Sequence, residues 1–167
     1  IYQETGSGEN ADYRREKLFF RNSNGYYTPL KLAQDRSSGY LKLNRMPLIR
    51  LPEMYYILAE CATDPTEAAD WLNTVRANRG IPADVDLVGD DAFDQLDSRP
   101  GCDNTQTKRI NEIMKEYNKE YYGEGQLFYF YKRLNYKVFT GCPAGGMLPQ
   151  YYTPAIPDNE HIFGNKN

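Results

Sequence analysis

The sequence predicts a mainly α-helical fold with long irregular loops and an extended C-terminal tail. Apolar residues recur at helical spacing in four segments between residues 50 and 134. Prolines and glycines stand where these segments begin and end, and the flanking chain is rich in Gly, Asn, Ser, Pro and Tyr. We therefore expect a single domain over 1–167, with an irregular lead-in at 1–46, a helical core at 47–135 and a docked coil tail at 136–167.

The first two predicted helices form a pair. One runs from about residue 50 to 62, and the other from Pro65 to about Asn78, just before Gly80. Their connection is so short that the helices must pack antiparallel, as in tetratricopeptide-like pairs. One pair cannot bury its own apolar face, so neighbouring helices must complete it. The expected buried residues are Leu51, Met54, Tyr55, Leu58 and Ala62 on the first helix, and Ala68, Trp71, Leu72 and Val75 on the second.

Two further helices are expected after an acidic loop. Residues 80–105 carry Pro, Gly and many Asp, and predict a loop with one helical turn near 91–97. The third helix runs from about Thr107 to Gly123, and a fourth continues to about Leu134. The third helix should bury Ile110, Ile113, Met114, Tyr117 and Tyr121. Short apolar pieces at 18–20 and 40–43 predict at most a short hairpin in the lead-in.

Composition and motifs exclude several function classes. Lys and Arg total 20 and Asp and Glu total 23, a net charge of -3, which argues against a nucleic-acid partner. The chain has one His, three Cys without a CxxC pair and no nucleotide or hydrolase motif, so we expect no metal, cofactor or catalytic residues. Cys61 is expected in the core, whereas Cys102 and Cys142 lie in loops where a disulfide bond between them remains open.

A row of glutamates recurs every four residues in the third helix. Glu112 and Glu116 are expected on the solvated face, while the row drifts round the helix and brings Glu124 onto the apolar face. A buried carboxylate needs a partner. We expect Glu124 to form a structural ion pair with an arginine, with Arg79 as the first candidate and Arg50 or Arg133 as alternatives.

Tyrosines in the predicted loops are the candidate ligand-binding residues. An exposed ring can stack on the C–H face of a sugar while its hydroxyl forms a hydrogen bond. Each of these rings could instead pin its loop to the helices. The six candidates are Tyr26, Tyr27, Tyr40, Tyr136, Tyr151 and Tyr152.

Four blocks of the chain together resemble the C-terminal portion of the SusD/RagB family. They are MPLIRLPEMYYILAECA (46–62), EAADWLNTVRANRGI (67–81), INEIMKEYNKEYYGEGQLFYFYKR (110–133) and YTPAIPDNEHIFGN (152–165), in that order. The chain departs from the family pattern after the Glu-Gly of the third block. Leu127 and Phe130 stand where many members carry an arginine and an acidic residue, so any ion pair between those positions is lost here.

The resemblance implies a non-catalytic, cell-surface lipoprotein of the outer membrane in a Bacteroidetes-type bacterium. Such proteins bind oligosaccharides or other oligomeric nutrients and act as a lid on a SusC-like, TonB-dependent β-barrel transporter. The only membrane attachment implied is a lipid on a cysteine upstream of Ile1. The family motifs assign no particular binding residue, so the tyrosines remain the candidates. The alternatives are a helical-repeat module that binds proteins alone and, third, a hydrolase with facing carboxylates.

Overall fold

The computed structural model describes residues 12–30 and 48–157. These residues form a mainly helical fold, which confirms the predicted fold class. The elements in chain order are α1 (Arg14–Leu18), β1 (Phe19–Arg21), β2 (Tyr27–Pro29), α2 (Leu51–Cys61), α3 (Pro65–Ala77), α4 (Lys108–Tyr121) and α5 (Gln126–Leu134). Short 3-10 turns lie at Ala83–Val85, Asp91–Asp94 and Pro149–Tyr152. In the parts of the chain that are described, no helix combines the length and apolarity needed to span a bilayer.

A small β-hairpin follows directly from α1. β1 and β2 pair antiparallel, with Phe19 opposite Pro29 and Arg21 opposite Tyr27. The Asn22 side chain accepts hydrogen bonds from the Asn24 and Tyr26 N–H groups, and Gly25 takes a φ of 84° at the tip. A side-chain acceptor and a glycine with positive φ suit a tight connection. The predicted short hairpin thus involves 19–29, whereas the other apolar piece, 40–43, lies outside the described residues.

Local capping signals explain where α3 begins and ends. The Asp64 side chain accepts a hydrogen bond of 2.8 Å from the Thr66 N–H, and Pro65 occupies the first turn of α3. Beyond α3, Gly80 has a φ of 84°, which ends the helix as predicted. The rings of Tyr55 and Trp71 lie 5.7 Å apart. Because these positions are equally far from residue 63, the contact is that of an antiparallel pair.

The predicted buried face of α2 is confirmed for Tyr55 and Ala62, which are partly buried against the core, and is wrong for the other three residues. Leu51, Met54 and Leu58 are 68%, 39% and 45% exposed, and Cys61 is also exposed rather than in the core. The helix instead buries Tyr56 and Ala59 completely. The Tyr56 ring lies 5.0 Å from that of Tyr117 in α4, so packing against α4 turns the aliphatic stripe of α2 outward.

The hydrophobic core lies where α4 crosses the other helices. The predicted stripes of α3 and α4 are confirmed, since Ala68, Leu72, Val75, Ile113, Met114, Tyr117 and Tyr121 are buried. Trp71 and Ile110 are partly buried against the same cluster. Tyr117 stacks on Phe130 of α5 at 4.6 Å and an interplanar angle of 25°. Phe130 is therefore a core residue.

Polar contacts fix the segment that follows α5. The Asp103 carboxylate is buried and accepts hydrogen bonds from the backbone N–H groups of Lys137 and Val138, as well as from Thr105. Tyr131 of α5 stacks on Phe139 at 4.2 Å. Cys102 and Cys142 are free thiols, so the disulfide left open by the sequence is absent from this structure of 48–157. The chain after α5 is thus attached by buried carboxylate and aromatic contacts.

Candidate ligand-binding surface and buried charge cluster

The six candidate tyrosines divide into exposed and buried groups. Tyr26, Tyr27 and Tyr151 are 72%, 52% and 54% exposed. Tyr26 and Tyr27 lie at the tip and in β2 of the hairpin, and Tyr151 lies in the last 3-10 turn. Tyr40 lies outside the described residues. Exposed rings are available for stacking, so the hairpin and the last turn carry the accessible candidates.

Tyr136 and Tyr152 pin the chain to the core instead of facing solvent. They are 0% and 4% exposed. The Tyr136 hydroxyl donates to Asn111 Oδ1 of α4, and the Tyr152 hydroxyl donates to the Tyr136 carbonyl oxygen at 2.6 Å. Burial raises the pKa of both phenols. A dissolved ligand cannot reach a fully buried ring, so these two tyrosines take the pinning role that the sequence left open.

Exposed aromatic residues outside the predicted set extend the accessible surface. They are Tyr13, Phe20, Tyr122, Phe128 and Tyr129. Tyr122 packs tilted against Phe19 at 5.5 Å, which connects the end of α4 to the hairpin. Phe128 lies 5.7 Å from Tyr129 and 6.1 Å from Tyr152. Phe128 and Tyr129 thus form a second exposed aromatic group on α5.

A shallow depression of about 380 Å³ lies between α1 and the hairpin. Its walls are Arg15, Glu16, Phe19 and Tyr27. The Arg15 guanidinium donates a hydrogen bond of 3.1 Å to the Tyr27 hydroxyl. This hydrogen bond and the positive charge of Arg15 lower the pKa of the Tyr27 phenol. The depression therefore combines two aromatic rings with one cation and one carboxylate.

The glutamate row of α4 forms a buried charge cluster rather than a solvated face. Glu116 is 1% exposed, and its carboxylate contacts Arg14 at 2.8 Å, Lys119 at 2.9 Å and Arg76 at 3.3 Å. Glu112, also expected in solvent, is 5% exposed and lies 2.7 Å from Arg99. The expectation is wrong because α4 is the central helix, and the N-terminal segment and the loop before it cover its polar side.

Glu124 pairs with an arginine, as predicted, but the partner is not the first candidate, Arg79. The Glu124 carboxylate forms an ion pair of 3.0 Å with Arg50, one of the alternatives. Arg79 bonds to Glu120 through its Nε and Nη2 atoms at 3.0 and 3.1 Å. Arg50 also contacts Glu120 at 2.6 Å, so it bridges two turns of the row. Arg79 therefore pairs with Glu120, which lies one helical turn before the predicted partner Glu124.

The charge cluster favours the ionised forms of Glu116 and Glu120. Burial opposes ionisation of Glu116, but Arg14, Lys119 and Arg76 outweigh it and lower its pKa to about 2. Burial also opposes ionisation of Glu120, yet Arg79, Arg50 and Arg14 lower its pKa. A carboxylate with so low a pKa is a weak general base and carries no proton to donate near neutral pH. The cluster is therefore suited to holding the N-terminal segment on α4.

Comparison with protein families gives a match over nearly the whole chain. The model described as the SusD family, SusD_RagB, matches residues 2–161. The chain belongs to the SusD family. This confirms the family resemblance drawn from the four sequence blocks. Comparisons with curated proteins and with solved structures give no significant match.

SusD family membership sets the general role. Proteins of this family bind glycans for nutrient uptake and are known as binding proteins rather than catalysts. They generally work at the cell surface, on the outer membrane, with SusC-like transporters.

Proposed function

We propose that this SusD-family chain captures oligosaccharides at the cell surface for delivery to a SusC-like, TonB-dependent transporter. Family membership supports the general role. The observation that carries the proposal for this chain is the exposure of Tyr26, Tyr27 and Tyr151 on segments held by the helical core. Flat apolar faces with a polar edge suit sugar rings, which are apolar on their C–H faces and polar at their rims.

The proposed location is the outer surface of the outer membrane. Attachment would be through a lipid on a cysteine upstream of this chain, and no other contact with the membrane is proposed. Binding by stacking and hydrogen bonds needs no cofactor and no covalent step. The protein would bind its glycan and release it to the transporter chemically unchanged.

The test is glycan binding by the full-length protein. We expect retardation in native gels that contain a soluble polysaccharide, and signals on an array of oligosaccharides. Replacing Tyr26, Tyr27 and Tyr151 together with Ala should abolish binding while leaving the thermal unfolding temperature unchanged, because all three side chains are exposed. Full retention of binding in the triple variant would show that these tyrosines are not the ligand contacts.

A second candidate function is protein binding through α2. Leu51, Met54 and Leu58 follow a spacing of three and four residues, and each is at least 39% exposed. Such a stripe is typical of a helix that packs against another helix. A helical-repeat module without a small ligand would lose its partner when Leu51 and Leu58 become Ser, and it would show no binding on the glycan array.

A further inference from the structure

We propose that the depression between α1 and the hairpin is a subsite for one neutral pyranose unit of the bound glycan. This inference rests on the proposed function and adds the place and the sugar class. The site uses Arg15 and Glu16 of α1, Phe19 of β1 and Tyr27 of β2. The family motifs assign none of these residues to a ligand.

The position of α1 is fixed before any ligand arrives. Arg14 is 2% exposed and its guanidinium contacts Asp12 at 2.7 Å and Glu116 of α4 at 2.8 Å. The next two residues, Arg15 and Glu16, project from other faces of α1 and line the depression. Phe19 is held in turn by Tyr122 at 5.5 Å. A site with prearranged side chains loses less conformational entropy when it binds.

The chemistry of the walls matches a sugar ring. The Tyr27 ring is 52% exposed and offers a flat face to axial C–H groups. Arg15 supplies N–H donors and Glu16 supplies carboxylate acceptors. Vicinal hydroxyls both donate and accept, so they can bond to the guanidinium and the carboxylate at once.

The charges of the walls favour a neutral sugar. Among the described residues, Arg15 and Glu16 line the depression with opposite charges, and Arg21 adds a weaker positive charge at Tyr27. A uronic acid would place its carboxylate beside Glu16, and like charges repel at short distance. The Arg15 guanidinium is already engaged with the Tyr27 hydroxyl at 3.1 Å, which leaves it less able to form a bidentate pair with a ligand carboxylate.

The size of the depression fits one sugar unit with an open rim. Its volume of about 380 Å³ lies at the small end of the roughly 300–1,000 Å³ found for small-molecule sites. Tyr27 and Glu16 are exposed at the rim, so the rest of an oligosaccharide can continue into solvent. The adjacent exposed Tyr26, at the hairpin tip, does not line the depression.

Isothermal titration of the full-length protein tests the subsite. The probes are maltohexaose, cellohexaose, mannohexaose and xylohexaose as neutral chains, with hexagalacturonate as the acidic chain. We expect at least one neutral chain to bind and hexagalacturonate to bind more weakly. Tyr27→Ala and Glu16→Gln should each weaken the neutral chain roughly tenfold, as expected for the loss of one stacking or charge-assisted contact. Tyr27→Phe should retain most of the affinity because the ring remains.

Lys17→Ala is the control, since it changes an exposed residue next to Glu16 on α1 that is not part of the depression. It should change the affinity less than twofold. Near-ultraviolet circular dichroism should be alike in all variants. Unchanged affinity in Tyr27→Ala and Glu16→Gln would overturn the subsite while the proposed function stands. Preference for hexagalacturonate would overturn the neutral class, and failure of every probe to bind would overturn both proposals.

Discussion

Gly89 allows the loop between α3 and α4 to pack directly against the first turn of α3. A Cβ atom there would lie 2.1 Å from the Pro65 carbonyl oxygen and 2.5 Å from the Thr66 Cα atom. The Gly89 carbonyl oxygen accepts a hydrogen bond of 3.0 Å from the Thr66 hydroxyl. The close approach of loop and α3 backbone therefore depends on glycine at this position.

Gly89→Ala is expected to destabilise the protein by about 1–3 kcal/mol, because backbone atoms must move to admit the methyl group. Urea unfolding followed by far-ultraviolet circular dichroism gives the free energy of unfolding. Gly125→Ala is the control, since a Cβ there meets no atom within 4 Å and its φ is -68°. A Gly89→Ala variant as stable as Gly125→Ala would show that the loop does not rest on α3.

Glu116 predicts the acid sensitivity of the fold. Its pKa in the folded protein is about 2, against roughly 4.3 for a glutamate in an unfolded chain. The lowered pKa means that its stabilising contribution is fully present above the unfolded pKa. That contribution is lost as the pH falls toward the folded pKa.

We therefore expect the free energy of unfolding to fall between about pH 5 and pH 2, and the Glu116→Gln variant to lose part of this slope. At pH 7 the same variant should be destabilised by roughly 3–5 kcal/mol, because Arg14, Lys119 and Arg76 keep buried charges without the carboxylate. Urea unfolding at a series of pH values measures both effects. Equal slopes for the two proteins would contradict the role of Glu116.

At the scale of the helix, α2 shows that apolar residues at helical spacing need not be the buried ones. Both sides of the helix carry apolar residues. The side with Tyr56 and Ala59 packs against α4 and is buried, whereas the aliphatic stripe stays exposed. Tyr56→Ala should cost about 3–5 kcal/mol because it opens a cavity among the Tyr117 and Tyr121 rings. Leu58→Ala should cost less than about 1 kcal/mol because Leu58 is 45% exposed.

Thermal and urea unfolding of these two variants decide the orientation of α2. The variants remove side chains two positions apart on one helix and leave the same residue, so helix propensity contributes little to the comparison. A larger loss for Leu58→Ala than for Tyr56→Ala would mean that α2 is turned the other way.

Local signals made the helices predictable from the sequence. Pro52, Pro65 and Gly80 mark helix ends, and these signals depend only on the local backbone. Helix α3 has a single apolar face, so the sequence was enough to predict which of its residues are buried. The orientation of α2 was not predictable because helical periodicity identifies a stripe without naming the element that covers it.

Long-range contacts explain what the sequence could not predict of the candidate site. Glu116 is paired with Arg14 and Arg76, which come from distant parts of the chain, so its burial has no local signal. Tyr26 and Tyr136 are both loop tyrosines by sequence, and only the contact of Tyr136 with Asn111 separates a pinning ring from an exposed one.

At the scale of the whole molecule, α4 lies between two different buried regions, an aromatic core and a cluster of ion pairs. One side carries the aromatic core, in which Tyr117 stacks on Phe130. The other side carries Glu116 and Glu120, whose arginine partners come from α1, from α3, from the turn just after α3 and from the residue before α2. The hairpin follows directly after α1, whose first residue, Arg14, lies in this second buried region. The segment of α1 and the hairpin is therefore attached by this charge cluster together with the ring contact of Phe19 and Tyr122, and removal of one cation should loosen the hairpin more than the helix pair.

Arg14→Met tests this attachment by hydrogen exchange monitored by mass spectrometry. The methionine keeps the length of the side chain but leaves Asp12, Glu116 and Glu120 without one cation. We expect faster exchange in peptides that cover 14–30, and unchanged exchange in the α3 segment 65–77 under conditions that keep the variant folded. Lys17→Met, on the exposed side of the same helix, should leave both regions unchanged. Equal acceleration throughout the chain would show instead that hairpin and helices unfold as one cooperative unit, and glycan contacts on the hairpin would then share the stability of the core.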